Sequence, residues 1–307
     1  MSTDALGACG QSDFKSGFVA FIGRPNSGKS TMINALMQRK VAITSDTPQT
    51  TRHRFRAVLD GPDYQMILVD TPGLHKPRDV LGEELNRSAL QALEDVDLVA
   101  FFVDASKPFG KGDRWIAEHI MESPAPVVLV ISKSDLADTT MIDAQVQQAS
   151  LALSFDDVVV TSARDGRNLE ELVTRIQAYL PCGPRWFPEG TGVDQPLEMI
   201  IAEFIREKVL RTTFDEVPHA VGVLLEELDY DERRNFYRVY AIIYVERESQ
   251  KGIIVGKQGC MIKTIGTQAR QDLMHFLAAG VHLDLRVKVK KDWRRDINQI
   301  RRFTYGE

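Results

Sequence analysis

The chain's 307 residues are 43% hydrophobic and 26% charged, an ordinary composition for a soluble globular protein and enough for two domains with separate cores. Three widely separated cysteines (Cys9, Cys182, Cys260) have no metal-ligand spacing and argue for a reducing compartment rather than a disulfide framework. No apolar run approaches the ~20 residues needed to span a bilayer. The net charge of −5 is unevenly divided: residues 1–195 hold 19 Lys+Arg against 26 Asp+Glu, residues 196–250 hold 7 against 12, and residues 251–307 hold 12 against 5. A basic end on an acidic chain is the footprint of a polyanionic partner, nucleic acid or a membrane surface, unless it is only a solvated basic face.

Residues 1–16 lack the apolar core of a signal peptide and read as a short flexible tail. The apolar run GFVAFIG (Gly17–Gly23) then reads as a strand, and it ends at GRPNSGKS (Gly23–Ser30), a G-x-x-x-x-G-K-[ST] phosphate loop. Gly23 and Gly28 let successive N–H groups turn inward at phosphate oxygens; Lys29 reaches the β- and γ-phosphates, and the Ser30 hydroxyl is placed for Mg²⁺. KSTMINALMQ (Lys29–Gln38) opens as a helix whose positive end favours the anion. A chance match in a glycine turn is the alternative, and the flanking strand and helix argue against it.

PQTTRHR (Pro48–Arg54) is a polar loop without periodicity, in which Thr51, preferred over Thr50, could complete a Mg²⁺ shell when the γ-phosphate is present; otherwise it is a turn hydroxyl. The strand YQMILVD (Tyr64–Asp70) leads into DTPG, where Asp70 can hold Mg²⁺ through water and the Gly73 N–H can meet the γ-phosphate. Three further apolar strands are expected at Leu98–Ala105, Val127–Lys133 and Asp157–Ala163, with helices such as Gly82–Val96 and Asn168–Leu180 between them. This alternation implies a doubly wound α/β sheet spanning 17–181, with ligands at the strands' carboxyl ends. Residues 182–196 lie in a stretch with four prolines and three glycines and read as a linker.

The order changes over 197–307: a helix (Leu197–Leu210), strands near Val221–Leu228 and Phe236–Val245, a glycine-punctuated helical stretch and a last strand (His282–Lys290), making a small α+β domain with a basic C-terminal helix. GKQG (Gly256–Gly259) would let backbone approach a sugar-phosphate chain. Lys257, Gln258 and Lys263 would add polar contacts, with Ile254, Val255, Ile262 and Ile265 forming an apolar groove. Lys290 and Arg294 would extend the surface, and Trp293 could stack on a base or bury against the last helix.

GRPNSGKS, PQTTRHR, DTPG, SKSD (Ser132–Asp135) and TSA (Thr161–Ala163) occur in the order of the translation-factor-like GTPases, which this chain resembles. The resemblance implies GTP and GDP as ligands with Mg²⁺: Asn26, Ser27, Gly28, Lys29, Ser30 and Thr31 on the phosphates, Ser30, Thr51 and Asp70 at the metal, and Gly73 near the γ-phosphate. It also implies that Asp135 reads guanine, Lys133 lies along the base, and the Ala163 N–H meets O6, with Ser162 also at the nucleotide. Two departures matter. Ser132 replaces the family's asparagine, which predicts guanine affinity weaker by ~1 kcal/mol for one lost hydrogen bond. Leu74 stands where Ras-like switches carry the water-orienting glutamine, so chemistry should be slow and rest on charge neutralisation by Lys29 and Mg²⁺, with Thr51 at the metal and a water placed by backbone or partner groups. Asn26 could help hold a K⁺ ion, as in related GTPases lacking that glutamine, or merely fill a turn; His75 reads as a loop residue rather than a base.

The GxxG turn in its α-β-β-α-α-β setting resembles a prokaryotic (type II) KH domain, and the two-domain order from Phe18 onward is similar to the Era family of bacterial GTPases. That resemblance implies a monomeric, cytoplasmic switch that binds the 3′ end of 16S ribosomal RNA in small-subunit assembly, with some peripheral membrane contact. A KH protein with a degenerate G domain, a P-loop ATPase or kinase, and a membrane-surface GTPase are the competing readings.

Overall fold

The computed structural model describes residues 14–47, 49–77 and 79–306; Pro48 and most of the expected tail, residues 1–13, lie outside them. The first strand, β1 (Lys15–Gly23), begins two residues inside that tail, because Lys15 pairs with Tyr64 and its ammonium caps the Leu180 carbonyl at 2.8 Å. The chain continues through α1 (Lys29–Leu36), β2 (Phe55–Asp60), β3 (Tyr64–Asp70), α2 (Val80–Gln91), β4 (Leu98–Asp104), α3 (Lys111–Ile120), β5 (Val127–Ser132), α4 (Thr139–Ser150), β6 (Asp157–Val160) and α5 (Leu169–Tyr179). One six-stranded sheet has the order β2-β3-β1-β4-β5-β6, parallel except for β2. Alternate residues of β1 serve its two faces: Val19 and Phe21 pack with Met32, Ile33, Leu172 and Ile176, whereas Ala20 and Ile22 pack with Ala89, Ile116 and Ala149. A strand covered on both faces has no polar period, which is why these strands read as continuous apolar runs.

Strand β2 was not legible in the sequence. It is short, its second residue Arg56 is exposed, and it directly follows a polar loop. Residues 182–196 run along the first domain rather than standing free: Gln65 accepts from the Trp186 and Phe187 amides at 2.7 and 2.9 Å. Val193 bridges Ala57 antiparallel, with Val58 N–H donating to Gly192 and Asp194 N–H to Arg56.

The second domain comprises α6 (Leu197–Thr212), β7 (Gly222–Asp231), β8 (Phe236–Val245), α7 (Glu248–Val255), α8 (Cys260–Leu277), β9 (Gly280–Val289) and α9 (Ile297–Tyr305). β7 and β8 pair antiparallel, β8 and β9 parallel, and α6 and α8 cover one face around Phe204, Ile205, Ile265 and Leu273. Trp293, expected to stack on a base or to bury, is 1% exposed. It packs with Leu81 and Leu85 of α2 and with Ile300, and its indole N–H donates to Ala220 at 2.9 Å. It ties the two domains together.

Candidate functional site

The phosphate loop leaves the end of β1 and re-enters regular structure at Lys29. Its turn is made by two left-handed residues, Asn26 at φ 62° and Gly28 at φ 95°. The Lys29 ammonium donates inward to the Gly23 and Arg24 carbonyls at 3.1 and 3.0 Å. Burial lowers its pKa to about 8, despite the opposing pull of Asp70. A cleft of about 410 Å³ opens over it, lined by Pro25 to Thr31, Ile43 to Ser45, Gln49 to Thr51 and Gly73. Gly73 is required by contact: a Cβ there would lie 2.4 Å from the Pro25 nitrogen.

At one corner of the cleft the three expected metal residues meet. Ser30 Oγ donates to Asp70 at 2.5 Å, and the Thr51 hydroxyl lies 3.0 Å from Ser30 and 3.3 Å from Asp70. Thr50 turns away, its hydroxyl donating to the Thr47 carbonyl, so Thr51 is the threonine at this corner. Asp70 is fully buried, and among the described residues no donor bonds to its Oδ1. Burial raises its pKa, with Lys29 and the Ser30 hydroxyl only partly compensating. A buried carboxylate with an open oxygen beside two hydroxyls is a hard-oxygen set that fits Mg²⁺, and a dication would remove the cost of ionising it.

The base end is built at the carboxyl ends of β5 and β6. Asp135 accepts from the Ser162 hydroxyl at 2.8 Å, and the Ser134 amide donates to Thr161, so SKSD and TSA with Ala163 form one unit. Lys133 sends its ammonium to the Asn26 carbonyl (2.6 Å) and to Asp104 (2.8 Å). Burial alone would raise Asp104; Lys133 and Ser106 outweigh it and hold the carboxyl below its usual range. Ser132 Oγ donates to the Ser27 carbonyl at 2.6 Å. The serine therefore keeps the tie to the phosphate loop, and only an amide's contact to the base is missing. Ser27 Oγ is buried without a partner among the described residues, and Thr31 is exposed. Leu74 is 1% exposed in the core and presents nothing to the cleft.

The loop from Ile43 to Arg54 is held from its other side by the second domain. Glu207 of α6, fully buried, accepts from the Thr44 amide at 3.0 Å and from Lys208 and Arg211 at 2.9 and 3.0 Å, and it pairs with Lys40. Arg211 also donates to the Thr44 carbonyl, and Arg206, paired with Glu203, donates to the Thr50 carbonyl. Arg52 reaches back the other way, donating to Val221 and His219 (2.5 and 3.2 Å) beneath the Trp293 ring. Burial and the neighbouring Arg206 bring its pKa down to about 9, so it stays charged at neutral pH. These α6 residues were missed in the sequence because charged residues at helical spacing read as a solvated face. Nothing in EFIREKVLR marks Arg206, Glu207 and Lys208 as buried.

In the second domain, Gly256, Gln258 and Gly259 take left-handed φ values of 73°, 53° and 76°, forming the expected GxxG turn between α7 and α8. Lys257, Lys263 and Lys290 are exposed and Val255 half-buried. Ile254 and Ile265 are corrected: both are fully buried and belong to the core rather than a groove. Arg294 is also committed elsewhere, its Nε and Nη2 both donating to Glu246 Oε2, at 3.0 and 2.7 Å. The open groove lies between α8 and β9, about 1020 Å³ lined by Ile262, Lys263, Gly266, Thr267, Arg270 and His282 to Leu285. Arg270, His282 and Asp284 carry its polarity and had no motif to announce them.

Residues 18–133 match the family described as "50S ribosome-binding GTPase", and residues 216–294 match the KH domain. The chain is 45% identical over 296 residues to GTPase Era of Carboxydothermus hydrogenoformans, covering 96% of this chain and 99% of that one. It is 43% identical over 293 residues to GTPase Era of Mycolicibacterium smegmatis, with 94% and 98% covered. Two solved structures superpose with TM-scores of 0.89, each covering 95% of this chain and 99% of the other. They are a single-substitution variant of Aquifex aeolicus Era bound to GDP·AlF4⁻, at 38% identity, and Era in complex with MgGDPNP and nucleotides 1506–1542 of 16S ribosomal RNA, at 39%. The ordered motifs, the KH unit and near full-length relatives agree: the chain belongs to the Era family of GTPases.

Proposed function

We propose that this GTPase is a slow molecular switch whose KH domain binds the 3′ end of small-subunit 16S ribosomal RNA during assembly of that subunit, and that it acts as a monomer. In this reading Lys29 and the N–H groups of Asn26 to Thr31 hold the phosphates. Ser30, Thr51 and Asp70 hold Mg²⁺, Gly73 meets the γ-phosphate, and Asp135 with Lys133, Ser162 and Ala163 reads guanine. Mg²⁺ supplies charge neutralisation at the β- and γ-oxygens. RNA would lie along the GxxG turn and the α8–β9 groove, with Lys257, Lys263 and Arg270 on its phosphates.

The observation that carries this reading is the loop Ile43–Arg54, bonded on one side to the Ser30–Asp70 corner and on the other to α6. A loop ordered by the γ-phosphate and bonded to the second domain gives hydrolysis a route to the RNA face. Coupling of that kind is reciprocal, so RNA affinity should differ between GTP-analogue and GDP states; equal affinities would eliminate it. Crosslinking the protein to RNA in cells tests the partner: sites concentrated at the small-subunit 3′ end support the reading, and a scattered map overturns it.

We further propose that K⁺ assists hydrolysis. Asn26 donates its amide to the Asp46 carbonyl at 2.6 Å, which turns its oxygen away from that loop and supports a cation-binding role; equal turnover in Na⁺ and K⁺ would refute it. A cytoplasmic location with peripheral contact at the inner face of the membrane completes the proposal. It is supported by the exposed Lys257, Lys263, Lys290 and Lys291 and tested by liposome flotation at two salt concentrations.

A further inference from the structure

We propose that Gln49 orients the attacking water in this GTPase, and that His75 is the positioning residue that holds Gln49 to the task; the proposal rests on the GTP-hydrolysing reading above. Leu74 follows DTPG but is sealed in the core, so the water must be oriented from elsewhere. Gln49 lies on the wall of the nucleotide cleft with Thr51 and Gly73. Its backbone is left-handed at φ 64°, a conformation that residues with a side chain seldom adopt and that concentrates at functional sites.

The hydrogen bonds around it fix which way its amide faces. His75 Nδ1 lies 3.2 Å from the Gly73 carbonyl, which can only accept, so Nδ1 carries the proton and Nε2 is left as an acceptor. The Gln49 nitrogen sits 2.9 Å from that Nε2 and must be the donor. The Gln49 oxygen is thereby turned away from the imidazole, and among the described residues no donor is bonded to it. A carbonyl oxygen on a cleft wall is what a water needs as an acceptor. His75 is itself anchored to α2, its carbonyl accepting from Asn86 at 2.6 Å. A chain of bonds thus runs from α2 through His75 to Gln49 and joins the loops on either side of the cleft.

In the reaction the water oxygen bonds to the γ-phosphorus while the bond to the β,γ-bridging oxygen breaks and its electron pair stays with GDP. One water proton ends on a γ-phosphoryl oxygen, so the products are GDP and dihydrogen phosphate. Gln49 accepts a hydrogen bond from the water and takes no proton. His75 touches neither water nor nucleotide.

The test uses the full-length protein with Mg²⁺ and GTP in single turnover. Gln49→Ala should slow hydrolysis on the order of 10- to 100-fold, while GDP and a non-hydrolysable GTP analogue bind within about twofold of wild type. Affinity for GDP with aluminium fluoride, which mimics the transition state, should fall by the same factor as the rate. His75→Ala should slow the reaction less, and the double variant should be no slower than Gln49→Ala alone. The proposal is overturned if Gln49→Ala hydrolyses at the wild-type rate, if ground-state nucleotides weaken as much as the rate does, or if the two effects multiply. A wild-type chain that hydrolyses no GTP would instead overturn the parent reading, and retained GDP binding by the variants separates either result from misfolding.

Discussion

Replacing Glu207 with alanine should loosen the nucleotide-binding loop from the second domain, although Glu207 itself does not line the nucleotide cleft. The carboxylate is fully buried and has four donors: the Thr44 amide, Lys40, Lys208 and Arg211. Breaking a buried ion pair costs ~3–5 kcal/mol when it strands a charge. Here the stranding is partial. Lys40 and Lys208 keep Asp272, and Arg211, 48% exposed, is half in water and still donates to the Thr44 carbonyl. Solvent screening and that second acceptor bring the expected loss to about 2–3 kcal/mol. The Thr44 amide reports it most directly, because Glu207 is its acceptor; its hydrogen exchange should accelerate about 30- to 150-fold. The wild type should show the same loosening in acid. Burial pushes the Glu207 carboxyl up, but Lys40, the Thr44 amide and Lys208 outweigh it and hold it below its ordinary 4.5. Its contribution is therefore complete above about pH 4.5 and disappears as pH falls through the depressed value. The variant should lack this dependence. Thr44 exchange within about threefold of wild type, a difference worth less than one neutral hydrogen bond, would refute the reasoning.

Three other perturbations have defined outcomes. Lys29 titrates near 8 in the free protein and must be charged to meet phosphate, so GDP affinity should hold below pH 8 and decline above it; calorimetry at pH 8.5 in buffers of different ionisation enthalpy should record proton uptake on binding. Ser132→Asn should tighten GDP by ~1 kcal/mol, the worth of one added base contact, and a titration that shows no gain would mean the serine's existing tie to Ser27 already suffices. Trp293→Ala should cost ~3–5 kcal/mol in thermal or urea unfolding, as for a fully buried tryptophan, and a loss below ~1 kcal/mol would return the residue to the RNA face.

The sequence was most legible where chemistry forces residue type and spacing together. GRPNSGKS, DTPG and SKSD each close a parallel strand, so the strand's apolar run and the polar motif beyond it announce one another. Thr51 could be chosen over Thr50, and the structure puts it at Asp70. Legibility failed where a residue's role depends on the other domain. Trp293 followed by arginines resembles a nucleic-acid stacking residue, yet its partners, Leu81 and Leu85, lie more than two hundred positions away. Ile254 suited a groove by hydropathy, but helical phase turns it into the core while Ile253 is half exposed. Arg206, Glu207 and Lys208 are consecutive charges that no single-helix pattern would bury. Their cost is met by Thr50, Thr44 and Asp272, contributed by segments distant in the chain.

The antiparallel contact between residues 192–194 and β2 has a consequence for solubility. β2 is an outermost strand, and an outermost strand offers unpaired main-chain groups to any passing chain. Here the Val58 amide and the Arg56 carbonyl are already engaged by Gly192 and Asp194, so the connecting segment seals the border of the sheet. The opposite border, β6, is only four residues long and offers little to pair with. Any swing of the two halves large enough to peel residues 192–194 away would expose an adhesive border at the same moment.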